Sequence, residues 1–193
     1  MKPVERSEIL PLGDYEAVRE PFRVRIIEEK RRRRVELGTH ISAIFENHDS
    51  VLLQVQEMLR TERISREDAV QHELDTYNAL IPGADELSLT LFVQIPEREE
   101  RDRMLVALAG LEESVALEVD GVVVSAKGEP RDGSRADRTT AVHYFRFSLP
   151  PGVAEKVRAR DVQRVLLTVN HSAYTVRAEL DRGLVAELAY DLS

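Results

Sequence analysis

The chain has 193 residues, 42% apolar and 32% charged, with 27 basic and 35 acidic side chains and a net charge of -8. That length can bury a real core, and the negative balance argues against general nucleic-acid binding, which needs net positive surface. With no cysteine, the chain excludes disulfides, thiolate catalysis, iron–sulfur ligation and zinc–thiolate sites of its own, and a cytoplasmic setting is expected. The start, MKPVERSEILPLGDYE, lacks the apolar core of a signal peptide, and no apolar window reaches the roughly 18 residues of a membrane span. The chain has no Trp and only five Phe and five Tyr, too few for platforms on which single-stranded nucleic acid stacks.

Pro3, Pro11 and Gly13 punctuate the lead-in. Asp14 is placed to cap a helix from about Tyr15, which Pro21 should split or restart and which should end before Gly38. The basic block Lys30–Arg34 reads as a solvated helix face flanked by Glu28, Glu29 and Glu36, with contact to phosphate as the alternative. THISAIFE, 39–46, alternates as a strand. Val51, Leu52, Val55, Met58 and Leu59 then mark one face of a helix over 51–62, capped by Asp49 or Ser50. Ser65 and Asp68 imitate a capping box for a second helix, 66–81, which buries Val70, Leu74, Tyr77 and Ile81 and stops at Pro82-Gly83.

Leu87, Leu89, Leu91, Val93 and Ile95 alternate through a strand that Pro96 ends, and a helix is expected over 97–109. Val115–Val119 and Val122–Ala126 are joined by Asp120-Gly121, a hairpin signal. Residues 127–140 read as a long exposed loop. Val142–Leu149 is a strand with His143, Phe145 and Phe147 on one face and Tyr144 and Arg146 on the other. Strands follow at 162–170 and 174–180, and Leu184, Val185, Leu188, Ala189 and Leu192 suggest a closing helix. Regular β–α alternation is absent after residue 110, which argues against a doubly wound sheet. The expected fold is α+β: one domain over 1–193, helix-rich to 83 and strand-rich from 84. Its sheet is largely antiparallel or mixed, of about six or seven strands, with the N-terminal helices on one face and a C-terminal helix.

Glu73 is the sharpest single residue. On a wheel of about 100° per residue it falls between Leu80 and Tyr77, inside the apolar sector. A carboxylate there is either a tuned acid, base or metal ligand, or half of an ion pair with an Arg. A polar pocket between the helix pair and the sheet would draw on Glu73, Asp75, Asn78, His143, Tyr144 and Arg146. None of the five histidines stands in a metal motif. A three-dimensional metal site would use His40 and His143 with a carboxylate, and no metal is assigned. There is no Gly-x-Ser-x-Gly elbow, Walker loop or dinucleotide loop, so no cofactor is expected. Gln54, Gln56, Glu57 and Arg60 lie on the flanks and back of the helix at 51–62, as solvated surface or as a face for a partner protein.

FENHDSVLLQVQEMLRTERI, ELDTYNALIPGADELSLTLFVQIP and AVHYFRF, with KRRRRVELG and ILPLGDYEAVREPFRVRI, resemble the bacterial family known as domain of unknown function 3501. By position, its motifs fall on Phe45, Glu46, Asn47, Gln54, Gln56, Glu57, Met58 and Arg60. They continue on Glu73, Leu74, Asp75, Tyr77, Asn78, Pro82, Gly83, His143, Tyr144, Arg146 and Phe147. The resemblance carries no catalytic residues. It implies genes set beside rubrerythrin-like di-iron proteins and iron–sulfur oxidoreductases, and so an accessory role, docked on a redox partner through the Gln54/Gln56/Glu57/Arg60 face or the 127–140 loop. The alternative is an enzyme or ligand- or metal-binding protein that uses the polar pocket.

Overall fold

A computed structural model describes residues 1–128 and 137–192. The sequence runs through α1 (Leu12–Arg32), β1 (Arg34–Leu37), β2 (Ile41–Phe45), α2 (His48–Thr61), α3 (Glu67–Asn78) and β3 (Glu86–Val93). It continues through α4 (Arg98–Ala107), β4 (Val115–Val119), β5 (Val122–Ser125), β6 (Lys127–Gly128) and β7 (Val142–Ser148). It closes with α5 (Pro151–Arg158), β8 (Val165–His171), β9 (Tyr174–Glu179) and α6 (Arg182–Asp191).

The fold is α+β, and its strands form two antiparallel sheets rather than one. The first has the order β1-β2-β3-β7-β6 and the second β5-β4-β8-β9. Strand alternation decides what each face meets. Ala43, Phe45, Leu89, Leu91, Phe145 and Phe147 of the first sheet share one core with Leu117, Val119, Val165, Leu167 and Val169 of the second. Leu105 and Leu108 at α4, Val153 and Val157 of α5, and Leu184 and Leu188 of α6 complete that core. The opposite face of the first sheet carries Ser42, Ser88, Thr90, Tyr144 and Arg146, and the N-terminal helices cover it.

The two seams between the sheets are closed differently. On one side the chain leaves β5 at Ala126 and joins the first sheet as β6, so one stretch serves both. On the other side β1 meets β9, and the Tyr174 hydroxyl donates to the Leu37 carbonyl at 2.6 Å. The Asp120-Gly121 turn has φ of 48° and 86°, as a two-residue hairpin of primed type requires. Its Asp120 carboxylate also accepts from the backbone of Gln163 and Arg164, tying the hairpin to the entry of β8.

Several local expectations change. Pro21 does not split α1, because the helix runs unbroken from Leu12, with Pro11 rather than Asp14 at its N-cap. The basic block ends a helix and opens a strand: Arg33 is 1% exposed and Arg34 begins β1. Asn47 caps α2 through a reciprocal box with Ser50. The cap position of α3 is Arg66, with no side-chain cap, so Ser65 and Asp68 do not form the expected box. The 127–140 loop candidate lies largely outside the described residues, and Lys127–Gly128 within it form β6.

Candidate functional site

The helix–sheet interface is polar and full. Arg146 projects from the helix-facing side of β7 and donates to the Ile81 carbonyl at 3.2 Å, to the Ala79 carbonyl, and to Glu86 at 2.7 Å. It thus satisfies carbonyls left free just past α3, a structural task. Asn78 takes the Val4 amide on its Oδ1 at 2.8 Å and returns its Nδ2 to the Val4 carbonyl at 3.0 Å. Asp75 is exposed and accepts from Gln71, one helical turn away. Glu73 is half-buried, and among the described residues no ion pair includes it. The void at this interface measures about 10 Å³ and touches Glu46, Ser88, Tyr144 and Arg146. That is the space of about one water at most.

His143 belongs elsewhere. On β7 it alternates with Tyr144 and Arg146, so its ring enters the sheet–sheet core, stacked on Phe145 with centroids 5.8 Å apart. Its Nε2 lies 2.9 Å from Thr139 Oγ1 and 2.8 Å from the Thr140 carbonyl, and burial pulls its pKa down from 6.5. The six proposed pocket residues therefore divide between the two faces of one sheet. His40 is in the β1–β2 turn, and among the described residues no three His, Asp or Glu side chains gather as a ligand set.

The polar face of α2 is engaged within the chain. Gln56 is 2% exposed, and its carboxamide accepts from the Leu10 amide at 2.6 Å and donates to the Leu10 carbonyl at 3.3 Å. Glu57 takes a two-pronged Arg19 at 2.8 Å on each oxygen and the Tyr15 hydroxyl at 2.7 Å. Arg60 pairs with Glu16 at 2.5 Å, and Gln54 stays half-exposed. Three of the four expected partner-face residues thus hold α1 and the lead-in against α2.

The Arg19 guanidinium holds Glu57 well down from 4.5, to about 2. A carboxylate depressed on folding stabilises above its unfolded value and loses that contribution as pH falls through the folded one. Glu57 should therefore support the fold fully above pH 4.5 and progressively less toward about 2. Urea midpoints recorded across that window should fall less steeply for Glu57→Gln than for the unchanged chain.

Three features were not legible as sites. Glu46 is 3% exposed, and among the described residues no cation pairs with it; Thr90 Oγ1 donates to it at 2.6 Å and Ser50 Oγ at 2.5 Å. Beside it, a cleft of about 540 Å³ opens between Met1, Lys2, Glu29, Asn47, His48, Asp49 and the end of α6 at Tyr190 and Asp191. His48 stands 3.2 Å from both Glu8 and Asp49 there. Third, an apolar groove of about 390 Å³ lies between α1 and α2, lined mainly by Leu10, Tyr15, Val18, Pro21, Phe22 and Leu52. Val18 is 43% and Leu10 38% exposed at its lip, and the Arg25 guanidinium sits 5.3 Å over the Phe22 ring. Val18, Pro21, Phe22 and Arg25 lie at helical spacing on the face of α1 that lines this groove.

The family model described as "Protein of unknown function (DUF3501)" matches residues 3–192. The chain belongs to this family. A crystal structure described as a novel protein of unknown function from Burkholderia pseudomallei K96243 is similar to this DUF3501 member over 100% of both chains, with 34% identity and a TM-score of 0.92. No functionally curated protein matches the chain. Many of the DUF3501 positions named above have architectural tasks here: Asn47 caps α2, Gln56 and Asn78 hold the lead-in, and Arg146 caps α3. No described helix is long and apolar enough to cross a membrane.

Proposed function

We propose that the protein is a non-catalytic accessory protein of a bacterial peroxide- or oxygen-response redox system, and that it holds a partner protein at the groove between α1 and α2. The observation that carries this reading is the groove itself: an open apolar concavity of about 390 Å³ with Val18 and Leu10 exposed at its lip. Such a surface suits one or two bulky apolar side chains of a partner, framed at its edge by the Arg25–Asp49 and Glu8–His48 pairs. The redox setting rests on the gene neighbourhood that the family resemblance implies, and the cysteine-free composition supports a cytoplasmic location.

The basic block gives little support to nucleic acid as the partner. Arg31, Arg32, Arg33 and Arg34 pair with Glu28, Glu187, Asp191 and Glu36. The test uses purified rubrerythrin-like and iron–sulfur proteins of the kind that the family resemblance implies as neighbours, mixed with this chain and followed by light scattering after size exclusion. A complex is expected, and Val18→Glu, at an exposed position, should weaken it roughly tenfold or more. The proposal fails if neither protein binds, or if a complex is indifferent to Val18→Glu.

A ligand-binding reading draws on a different observation, the polar cleft at Asn47, His48 and Asp191. The narrow interface void cannot serve it. A small-molecule thermal shift that His48→Ala abolishes would favour it.

A further inference from the structure

The lead-in is held the way a receptor holds a peptide, with two backbone clamps flanking a single 3-10 turn at Arg6–Glu8. Two buried or half-buried carboxamides each read one residue's backbone at both polar groups. Asn78 bridges the amide and carbonyl of Val4 at 2.8 and 3.0 Å, and Gln56 bridges those of Leu10 at 2.6 and 3.3 Å. Each carboxamide supplies one donor and one acceptor, as a neighbouring strand would, and is indifferent to the side chain it holds. Specificity comes from what lies between. Val4 and Ile9, 3% and 5% exposed, enter the apolar cluster of Val51, Val55, Leu59, Val70 and Leu74. Arg6 reaches out to Glu67 with two hydrogen bonds of 2.7 and 2.9 Å.

We infer that the surface of α2 and α3 beneath residues 1–10 is a peptide-binding groove, occupied in cis by the lead-in, and that its ligand in trans is a segment of a partner protein with the same chemistry and the same single turn between its apolar anchors. That chemistry is two aliphatic side chains about five residues apart, with a basic residue following the first by two. The acidic rim at Glu67 selects the basic residue, because a two-pronged Arg–carboxylate pair is lost with any acidic or neutral replacement. The site shares Glu8, Leu10 and Gln56 with the groove between α1 and α2, but Val18 takes no part in holding the lead-in, so Val18→Glu tests the partner groove alone. The lead-in would have to lift away for a partner segment to enter, and it is joined to α1 only through Pro11 at the N-cap.

The experiment detunes the lead-in and leaves the groove intact. The full-length Val4→Asp/Ile9→Asp variant is titrated into a fluorescein-labelled synthetic peptide of residues 1–12, with binding read by anisotropy. Saturable binding is expected for the variant, and far weaker binding for the unchanged chain, whose groove is filled. The added substitution Gln56→Ala in the protein should weaken binding roughly tenfold, and a peptide carrying Arg6→Glu should weaken it about a few-fold, because the Arg6–Glu67 pair is exposed. A variant that melts cooperatively but binds no peptide overturns the inference. So does a protein dimer that forms in proportion to peptide release, because the lead-in would then be exchanging between copies of this chain. If the variant does not fold, hydrogen exchange on the unchanged chain decides. The Val4 and Leu10 amides should exchange by local opening, ahead of the amides of α2 and α3. If they exchange only with global unfolding, the lead-in never leaves and the inference falls.

Discussion

Replacing Arg33 with Met should lower the unfolding free energy by about 3–5 kcal/mol, the range for removing one partner of a buried ion pair. Arg33 is 1% exposed at the end of α1, and its two terminal nitrogens each donate to an Asp191 oxygen of α6 at 2.7 Å. Glu29 and Glu187 stand 3.6 and 3.8 Å from the same guanidinium. One cation therefore answers three carboxylates, and losing it strands Asp191, which is 7% exposed. Burial already pushes the Asp191 carboxyl above its ordinary value, even with Arg33 beside it. The pair is thus costly to bury and more costly to break. The paired substitution Arg33→Met/Asp191→Leu should recover most of the loss, because it removes both desolvated charges together. Urea melts of the two single variants and the double variant measure this directly. A loss below about 1 kcal/mol for Arg33→Met would show that water reaches the pair.

The same residue shows where the sequence stops being readable. Nothing local separates Arg33 from the arginines around it, because what buries it is a carboxylate 158 positions away. The strand that follows did carry a signal: Val35 and Leu37 alternate with Arg34 and Glu36, but the charges masked a four-residue pattern beside a long helix. β6 is two residues long and offers no period at all. By contrast β3, the Asp120-Gly121 hairpin and the apolar face of α2 rest on local chemistry, and all three stand where their patterns place them.

Site residues divide along the same line. The alternation of His143 with Tyr144 and Arg146 was visible in the sequence, and it already forbids one pocket from holding all three. Gln56 is different. A carboxamide on the flank of a helix reads as solvated, and only the path of the lead-in makes it a buried clamp on Leu10. Glu73 sits at the edge of the face that Leu74 and Tyr77 bury, and so it is half-covered rather than enclosed.

Gly38→Ala should cost about 2–3 kcal/mol, and most of that cost should depend on a residue in a different sheet. Gly38 follows β1 with φ of +75°, a conformation that an L side chain adopts at a cost of about 1 kcal/mol. A Cβ there would stand 2.4 Å from the Tyr174 hydroxyl oxygen, which must move and release the Leu37 carbonyl that it holds at 2.6 Å. That hydrogen bond spans the seam between β1 and β9, where no backbone ladder joins the two sheets. Tyr174→Phe alone should cost about 1 kcal/mol, the ordinary net worth of one hydrogen bond. In that background the hydroxyl is gone, so Gly38→Ala should cost only its backbone share, about 1 kcal/mol. The double variant should accordingly be less destabilised than the sum of the singles by about 1–2 kcal/mol. Strict additivity would mean that the hydroxyl swings aside freely and that the seam is held by side-chain packing alone, through Val176 and Leu37 rather than through Tyr174.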